Sequence, residues 1–157
     1  MRNYGQSVRN YHQEIGLNSR LDEIHAAILS ARLKWLPEFT ERRRGIAEAY
    51  QSYIDNSFVR LLAAPEEPSA HVHHLYVVVC DQRDALKQHL KQSAVQALIH
   101  YPVPIHKQKP CVRGKLDPHG LKNCEHHAAC CLSLPCHPQL TESEIEVVIA
   151  AVNTFRG

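Results

Sequence analysis

Apolar residues recur every three or four positions in the first third of the chain, a pattern typical of a helix with one buried face. The first stripe comprises Leu21, Ile24, Ala27, Ile28 and Ala31. The second stripe comprises Phe39, Ile46, Ala49, Tyr50 and Tyr53. Because Pro37 lies between them and proline cannot donate a hydrogen bond inside a helix, we predict one long helix over 18–56, kinked or broken near Pro37. Asn18 or Ser19 is the predicted N-cap.

Three strand-like segments and two short helices are predicted after this helix. The run His71–Cys80 is apolar and rich in β-branched residues, and it is predicted to be a strand. Val95–His100 is predicted to be a second strand, and Leu132–Pro135 a third, short one. Asp81 is the predicted cap of a short helix after the first strand. A second short helix is predicted around Glu125–Cys131.

The last helix has the clearest start signal in the sequence. Thr141 and Glu144 have the spacing of a capping box, in which each residue bonds the backbone of the other. Its predicted apolar face comprises Ile145, Val148, Ile149, Val152 and Phe155. The whole order predicts an α+β fold in which helices cover a small three-stranded sheet over 57–157. Residues 1–17 are polar and are predicted to be a lead-in segment.

Charge and hydropathy exclude several classes of partner. The formal charge is +2, which is too small to indicate a nucleic-acid or membrane surface. The run Arg42–Arg44 is predicted to be a solvated helix face. No apolar run reaches the ~20 residues of a membrane span, and no secretory signal precedes the first helix. We therefore expect a cytoplasmic protein whose six cysteines are thiols.

The start of the long helix is a candidate anion site. Free backbone N–H groups, the helix dipole, the Asn18 amide and the Arg20 guanidinium would converge there. An ordinary helix cap with a surface arginine explains the same residues.

A second candidate site is the segment His100–His106. His100, Tyr101 and His106 carry hydrogen-bonding side chains on a loop that two prolines stiffen as it leaves a predicted strand. Such loops often line binding sites. A surface turn with ordinary histidines is the alternative.

A third candidate is a stretch rich in cysteine and histidine. Cys124 and His127 have a spacing that zinc ligands use, and Cys136 and His137 could complete a set. The stretch contains no CxxC pair, however, and a cysteine in a helix is often a small buried apolar residue. No nucleophile motif and no Gly-rich phosphate loop is present in the sequence.

Several motifs in order resemble the DegT/DnrJ/StrS aminotransferases. They are Arg2-Asn3-Tyr4-Gly5, Tyr11-His12, Gly16 to Leu29, Arg42 to Tyr50, His74 to Val78, Ile99 to His106, and Leu132 to Pro135 with His137-Pro138 and Leu140-Thr141. The resemblance implies the small C-terminal domain of an aspartate-aminotransferase-like, fold type I protein. It also implies a dimer that uses pyridoxal 5′-phosphate (PLP) to transfer an amino group, usually from glutamate, to a nucleotide-linked keto sugar.

The resemblance also assigns roles to the first two candidate sites. The segment like Gly16–Arg20 reaches the cofactor phosphate in a partner's site, so Asn18 and Arg20 are expected to bind the cofactor. The loop carrying His100, Tyr101 and His106 is expected to border the sugar nucleotide. The family has no metal at the segment before Leu132, so no metal ligand is expected from the resemblance.

The lysine that holds PLP in this family would precede Met1. The seven lysines present all lie outside the family's lysine context. Because transamination needs that lysine as Schiff base and proton shuttle, we expect no catalytic residue and no covalently bound PLP in this chain. We therefore expect a fragment that is inactive alone. The alternatives are a stand-alone module for sugar-nucleotide binding or dimerisation, and a small zinc-binding protein.

Overall fold

The structure is a computed structural model of the 157-residue chain. It describes residues 6–8, 11–12, 17, 21–108 and 117–157. The chain divides into two compact units, Met1–Glu38 and Phe39–Gly157. Asn18, Ser19 and Arg20 lie outside the described residues.

The described residues of the first unit form two short paired strands and a helix. Strands β1 (Gln6–Val8) and β2 (Tyr11–His12) pair antiparallel. Helix α1 spans Glu23–Leu33. Its N-cap is Asp22, later than predicted, because the Asp22 carboxylate accepts the backbone N–H of His25. An aspartate in extended backbone satisfies one of the helix's unpaired amides there.

The predicted apolar face of α1 is exposed to solvent. None of the residues of α1 is buried. Ile24 is 73% exposed, and Ile28 and Leu29 are also exposed. This helix therefore carries an apolar surface that the described residues do not cover.

Helix α2 spans Leu36–Tyr53 and begins after a turn at Lys34 and Trp35. Pro37 is its second residue, where a missing N–H costs no intrahelical bond. Within the second unit, Ile46 and Tyr50 of α2 are fully buried.

The second unit is an α+β fold with a small three-stranded sheet, as predicted, and the strands of this sheet are antiparallel. Its strands are β3 (Arg60–Leu61), β4 (Tyr76–Val79) and β5 (Cys131–Leu134), in the order β3-β4-β5. Its further helices are α3 (Arg83–Gln92), α4 (Lys122–Cys130) and α5 (Glu142–Thr154). Short 3₁₀ turns span Pro68–Ala70 and Ile105–Lys107.

Two of the predicted strands need correction. Strand β4 begins at Tyr76, not His71, because His73 adopts a left-handed backbone with φ 46° that ends extended structure. Val95–His100 contributes only an isolated antiparallel bridge, in which Leu98 and Ser133 exchange both backbone bonds. The third strand of the sheet is instead β3.

The predicted helix starts had mixed outcomes. The capping box at Thr141 and Glu144 is confirmed, with both reciprocal bonds present. Asp81, however, does not cap α3: the N-cap is Gln82, which makes no side-chain capping bond. The Asp81 carboxylate instead accepts from the Cys130 thiol, at 3.5 Å.

The core lies between the sheet and the helices of the second unit. Its fully buried side chains are Tyr50, Ile46, Leu86, Leu90, Leu132, Val78, Val152 and Cys131. Burying one large aliphatic side chain stabilises a fold by about 1.5–3 kcal/mol, so these positions hold the unit together.

The arginine run is not the solvated face that the sequence predicted. Arg42 donates to the Leu140 carbonyl at 2.7 Å, and Arg43 donates to the carbonyls of His73, His74 and Cys136. Arg44 bonds two further loop carbonyls. A guanidinium has five N–H donors, so each can tie α2 to several loop carbonyls. Among the described residues, no helix is long and apolar enough to cross a membrane.

Candidate functional site

The loop His100–His106 is held at its first end by strand β5. The bridge between Leu98 and Ser133 fixes the backbone just before the loop. The His100 Nδ1 atom then lies 2.9 Å from the Ser133 hydroxyl. Ser133 is buried, with 5% exposure, so this hydroxyl needs a partner and the imidazole supplies it.

The second end of the loop is held by helix α4. His106 Nε2 lies 2.9 Å from one carboxylate oxygen of Glu125, and Lys107 Nζ lies 2.8 Å from the other. The bond from Lys107, and next the bond from His106, lower the pKa of the Glu125 carboxyl. The His106 side chain is 12% exposed, so this contact lies at a largely buried ring.

Between these two attachments the loop presents Tyr101 and Ile105 to solvent. Tyr101 is 73% exposed and Ile105 is 78% exposed. The rings of Tyr101 and His100 meet edge to face, with centroids 5.4 Å apart. An exposed phenol on a loop with fixed ends can stack on a planar ligand and bond its polar groups at low entropic cost.

The three predicted residues of this loop therefore have different surroundings. His100 and His106 each use one ring nitrogen to hold the loop, at Ser133 and Glu125 respectively. Tyr101 offers its whole phenol. The contact of these residues with a sugar nucleotide stays a prediction.

The predicted cofactor residues, Asn18 and Arg20, lie outside the described residues. The adjacent cap is described: the Asp22 carboxylate accepts the His25 N–H and lies 3.1 Å from the His25 ring. One amide of the α1 N-terminus is thus already satisfied by a carboxylate.

The five lysines that the structure describes are all exposed: Lys34, Lys87, Lys91, Lys107 and Lys122. A lysine that forms a Schiff base is usually desolvated or placed beside another cation. Within the described ranges, none of these lysines has buried surroundings of that kind.

The residues considered from their spacing as candidate zinc ligands are not brought together among the described residues. Cys124 and His127 are exposed on α4. Cys136 is buried, and its thiol donates to the carbonyls of Arg43 and His73. In the part of the chain that is described, a different group gathers its ligand atoms: Asp81, His126 and Cys130.

Two residues of the loop site were not predicted from the sequence. Ser133 carries a detectable signal, because it is a hydroxyl within the otherwise apolar strand Cys131–Leu134. Glu125 carries none, since an acidic residue early in a helix is ordinary.

A family comparison accounts for almost the whole chain. Residues 1–153 match the DegT/DnrJ/EryC1/StrS aminotransferase family. The chain is 39% identical over 155 residues to dTDP-3-amino-3,6-dideoxy-alpha-D-galactopyranose transaminase of Aneurinibacillus thermoaerophilus. It is 37% identical over 156 residues to dTDP-3-amino-3,4,6-trideoxy-alpha-D-glucose transaminase of Streptomyces venezuelae. The two alignments cover 99% of this chain but only 42% and 41% of the relatives.

Solved structures agree with this comparison. The structure of S. venezuelae DesV in complex with a ketimine intermediate superposes with a TM-score of 0.83 at 36% identity, over 97% of this chain and 41% of that one. A DegT DnrJ EryC1 StrS aminotransferase from Brucella abortus gives a TM-score of 0.83 at 30% identity, over 99% of this chain and 41% of that one. Homologues align this chain to the C-terminal part of their own chains. The chain belongs to the DegT/DnrJ/EryC1/StrS aminotransferase family.

Proposed function

We propose that this chain is the C-terminal part of a PLP-dependent aminotransferase that transfers an amino group from glutamate to a nucleotide-linked keto sugar in the cytoplasm. The observation that carries the proposal is the match over 99% of the chain to transaminases named for dTDP-linked amino sugars. The chain spans about two fifths of their length, so it supplies one part of such an enzyme.

Within that enzyme, the loop His100–His106 contacts the sugar nucleotide. The attachments to Ser133 and Glu125 support this role, because they fix both ends of the loop before a ligand arrives. Tyr101 then meets the ligand with its exposed ring. Preorganised contacts of this kind raise affinity by lowering the entropy lost on binding.

The family is PLP-dependent, and the bound cofactor supplies the electron sink for transamination. The five described lysines are exposed, and the residues proposed to contact the cofactor phosphate are Asn18 and Arg20. We therefore propose that the chain alone neither attaches PLP covalently at a defined lysine nor catalyses transamination.

The cofactor part of the proposal is tested with the purified chain and PLP. We expect no stoichiometric lysine adduct after borohydride reduction, and no amino transfer from glutamate to a dTDP-linked keto sugar. Exposed lysines can react with excess PLP at random, so the adduct is mapped by peptide mass spectrometry. One modified lysine at unit stoichiometry, together with turnover, would show that the chain is an enzyme by itself.

The sugar-nucleotide part is tested separately by calorimetric titration with dTDP and a dTDP-linked sugar. Tyr101→Ala should weaken binding about tenfold, since base–aromatic stacking contributes about 1–3 kcal/mol. Tyr53→Ala is the matched control, because Tyr53 is also an exposed tyrosine, at 67%, but lies on α2. Equal affinities of the two variants would contradict the proposed role of the loop.

A second function, self-association into a homodimer, is favoured by the exposed apolar face of α1. Ile24 and Ile28, one helical turn apart on the same face of α1, are 73% and 50% exposed, and exposed apolar surface of this kind can mark an interaction site. Sedimentation should show a dimer that Ile28→Glu dissociates and that Lys34→Glu does not. A monomer at every concentration would refute self-association.

A further inference from the structure

The end of strand β4 and the end of helix α4 lie side by side in the second unit. The backbone N–H of Cys80 donates to the carbonyl of Cys130 at 3.0 Å, which extends the pairing of β4 with β5 by one residue. Asp81 therefore follows the strand directly beside the last residue of α4. His126 is four positions before Cys130, so the two side chains share one face of α4.

Three potential ligand atoms meet at this corner. The Cys130 Sγ atom lies 3.5 Å from Asp81 Oδ1 and 3.7 Å from His126 Nδ1. The ligand atoms of the three side chains all lie within 4.8 Å of one another. We propose that Asp81, His126 and Cys130 form a Zn²⁺ site.

The distances agree with tetrahedral zinc coordination. Zinc binds sulfur at about 2.3 Å and nitrogen or oxygen at about 2.0–2.2 Å. In a tetrahedral site the distance from the sulfur to a nitrogen or oxygen ligand atom is therefore about 3.6 Å. The distances from Cys130 Sγ to Asp81 Oδ1 and to His126 Nδ1, 3.5 and 3.7 Å, lie on either side of that value. An ion can therefore enter with small side-chain adjustments, in place of the thiol proton.

The donor set and its charge also suit this ion. Thiolate and imidazole are the ligands that zinc prefers, and a carboxylate is a common third ligand. A thiolate and a carboxylate carry two negative charges. The nearby Arg83 offsets one of them, but its guanidinium is bonded to Asp84 Oδ1 and to the Ala128 carbonyl. The site thus keeps a net negative charge for a divalent cation.

The proposed zinc site lies at the boundary between the core and the solvent. Cys130 is 5% exposed, whereas Asp81 and His126 are exposed. The ion can therefore arrive from solvent, and water can take the fourth position. Zinc bound here would link the end of β4 to α4 and would stabilise the folded state by mass action.

The corner also has a metal-free explanation, in which the Cys130 thiol simply donates to Asp81. The test therefore starts from reduced, chelator-treated protein titrated with Co²⁺ and then with Zn²⁺. We expect one ion per chain, a thiolate-to-cobalt charge-transfer band that Zn²⁺ abolishes, and a rise in Tm with Zn²⁺.

Variants assign the ligands. Asp81→Asn and His126→Ala should each weaken Zn²⁺ binding at least tenfold, and Cys130→Ser should remove the charge-transfer band. The matched controls, His127→Ala and Cys124→Ser, change an exposed imidazole and an exposed thiol of the same helix and should bind as the parent does.

Cys130 is buried, so Cys130→Ser could weaken the fold by itself. Asp81→Asn and His126→Ala are exposed changes, and their circular dichroism without metal should match that of the parent. Absence of stoichiometric binding by the parent would overturn the proposal. Binding that survives in both variants, or that falls equally in the controls, would assign the ion to other ligands and would also overturn it.

Discussion

Tyr50 offers a sharp test of how the second unit is held together. Its ring is fully buried and meets the Tyr76 ring edge to face, with centroids 5.0 Å apart. Its hydroxyl donates to the Pro135 carbonyl at 2.8 Å, which ties α2 to the segment after β5. Tyr50→Phe removes this hydroxyl and keeps the ring, so it isolates one hydrogen bond.

The expected loss comes from the carbonyl left without its partner. Pro135 is half-buried and its bond to Tyr50 is partly buried, so the carbonyl does not fully regain a water partner; an acceptor left unpaired costs about 1–3 kcal/mol. We therefore expect Tyr50→Phe to lower the free energy of unfolding by about 1–3 kcal/mol. The control is Tyr53→Phe, one helical turn away and 67% exposed, which should stay within about 0.5 kcal/mol.

Urea unfolding followed by circular dichroism measures both variants. The slope of the transition should not change, because the same surface is exposed on unfolding. Near-ultraviolet circular dichroism should show that the aromatic packing persists. If Tyr50→Phe is as stable as the parent with that packing intact, the bond to Pro135 contributes nothing net and the reasoning fails.

Three further changes probe the caps and the loop attachments. Thr141→Ala breaks the capping box of α5 and should cost about 1 kcal/mol in urea unfolding, whereas an unchanged midpoint would contradict its role. Arg43→Met removes a donor to three loop carbonyls and should cost about 2 kcal/mol or more, since hydrogen bonds to charged groups contribute about 1.5–3 kcal/mol. Ser133→Ala releases His100 and should speed amide hydrogen exchange over 101–108 while exchange in α5 stays constant; equal rates in the loop would contradict the attachment.

Elements with local signals could be predicted from the sequence. The capping box and apolar stripe of α5 are set by residues three or four positions apart, and the structure bears out both. Strand β3 escaped prediction because two residues, Arg60 and Leu61, carry no periodicity. Val95–His100 has the composition of a strand, but it meets β5 at a single bridge. Pairing depends on the neighbour, which a local pattern does not describe.

The same limit applies to the candidate site. The two prolines predicted a loop at this position, and the structure has a loop there with Tyr101 exposed. Its attachments join His100 to Ser133 and His106 to Glu125, residues 33 and 19 positions apart. The prediction for the arginine run was wrong for the same reason. A run of charged residues is usually solvated, but Arg43 donates hydrogen bonds to carbonyls 30 or more positions away in the sequence.

The two core tyrosines predict how stability depends on alkaline pH. Burial raises the pKa of Tyr76 to about 12 and raises that of Tyr50 further, and the Cys136 thiolate adds to both shifts as it forms. In the unfolded chain both phenols ionise near pH 10. Between about pH 10 and pH 12 the folded state therefore binds more protons than the unfolded state, so the free energy of unfolding falls as pH rises.

The stabilisation that each raised tyrosine pKa provides is fully present below about pH 10. Above that pH, each tyrosine lowers the free energy of unfolding by up to about 1.4 kcal/mol per pH unit. Burial also raises the pKa of the Cys80 and Cys136 thiols, so a decline begins at lower pH in every variant. The decisive quantity is thus the difference between the parent and Tyr50→Phe. The urea midpoints of the parent and of Tyr50→Phe should converge as pH rises from about 9 to 11.5. The parent loses stability through two phenol titrations, whereas the variant has only that of Tyr76. A constant gap across this range would mean that Tyr50 ionises equally in both states, and would contradict its enclosure in the core.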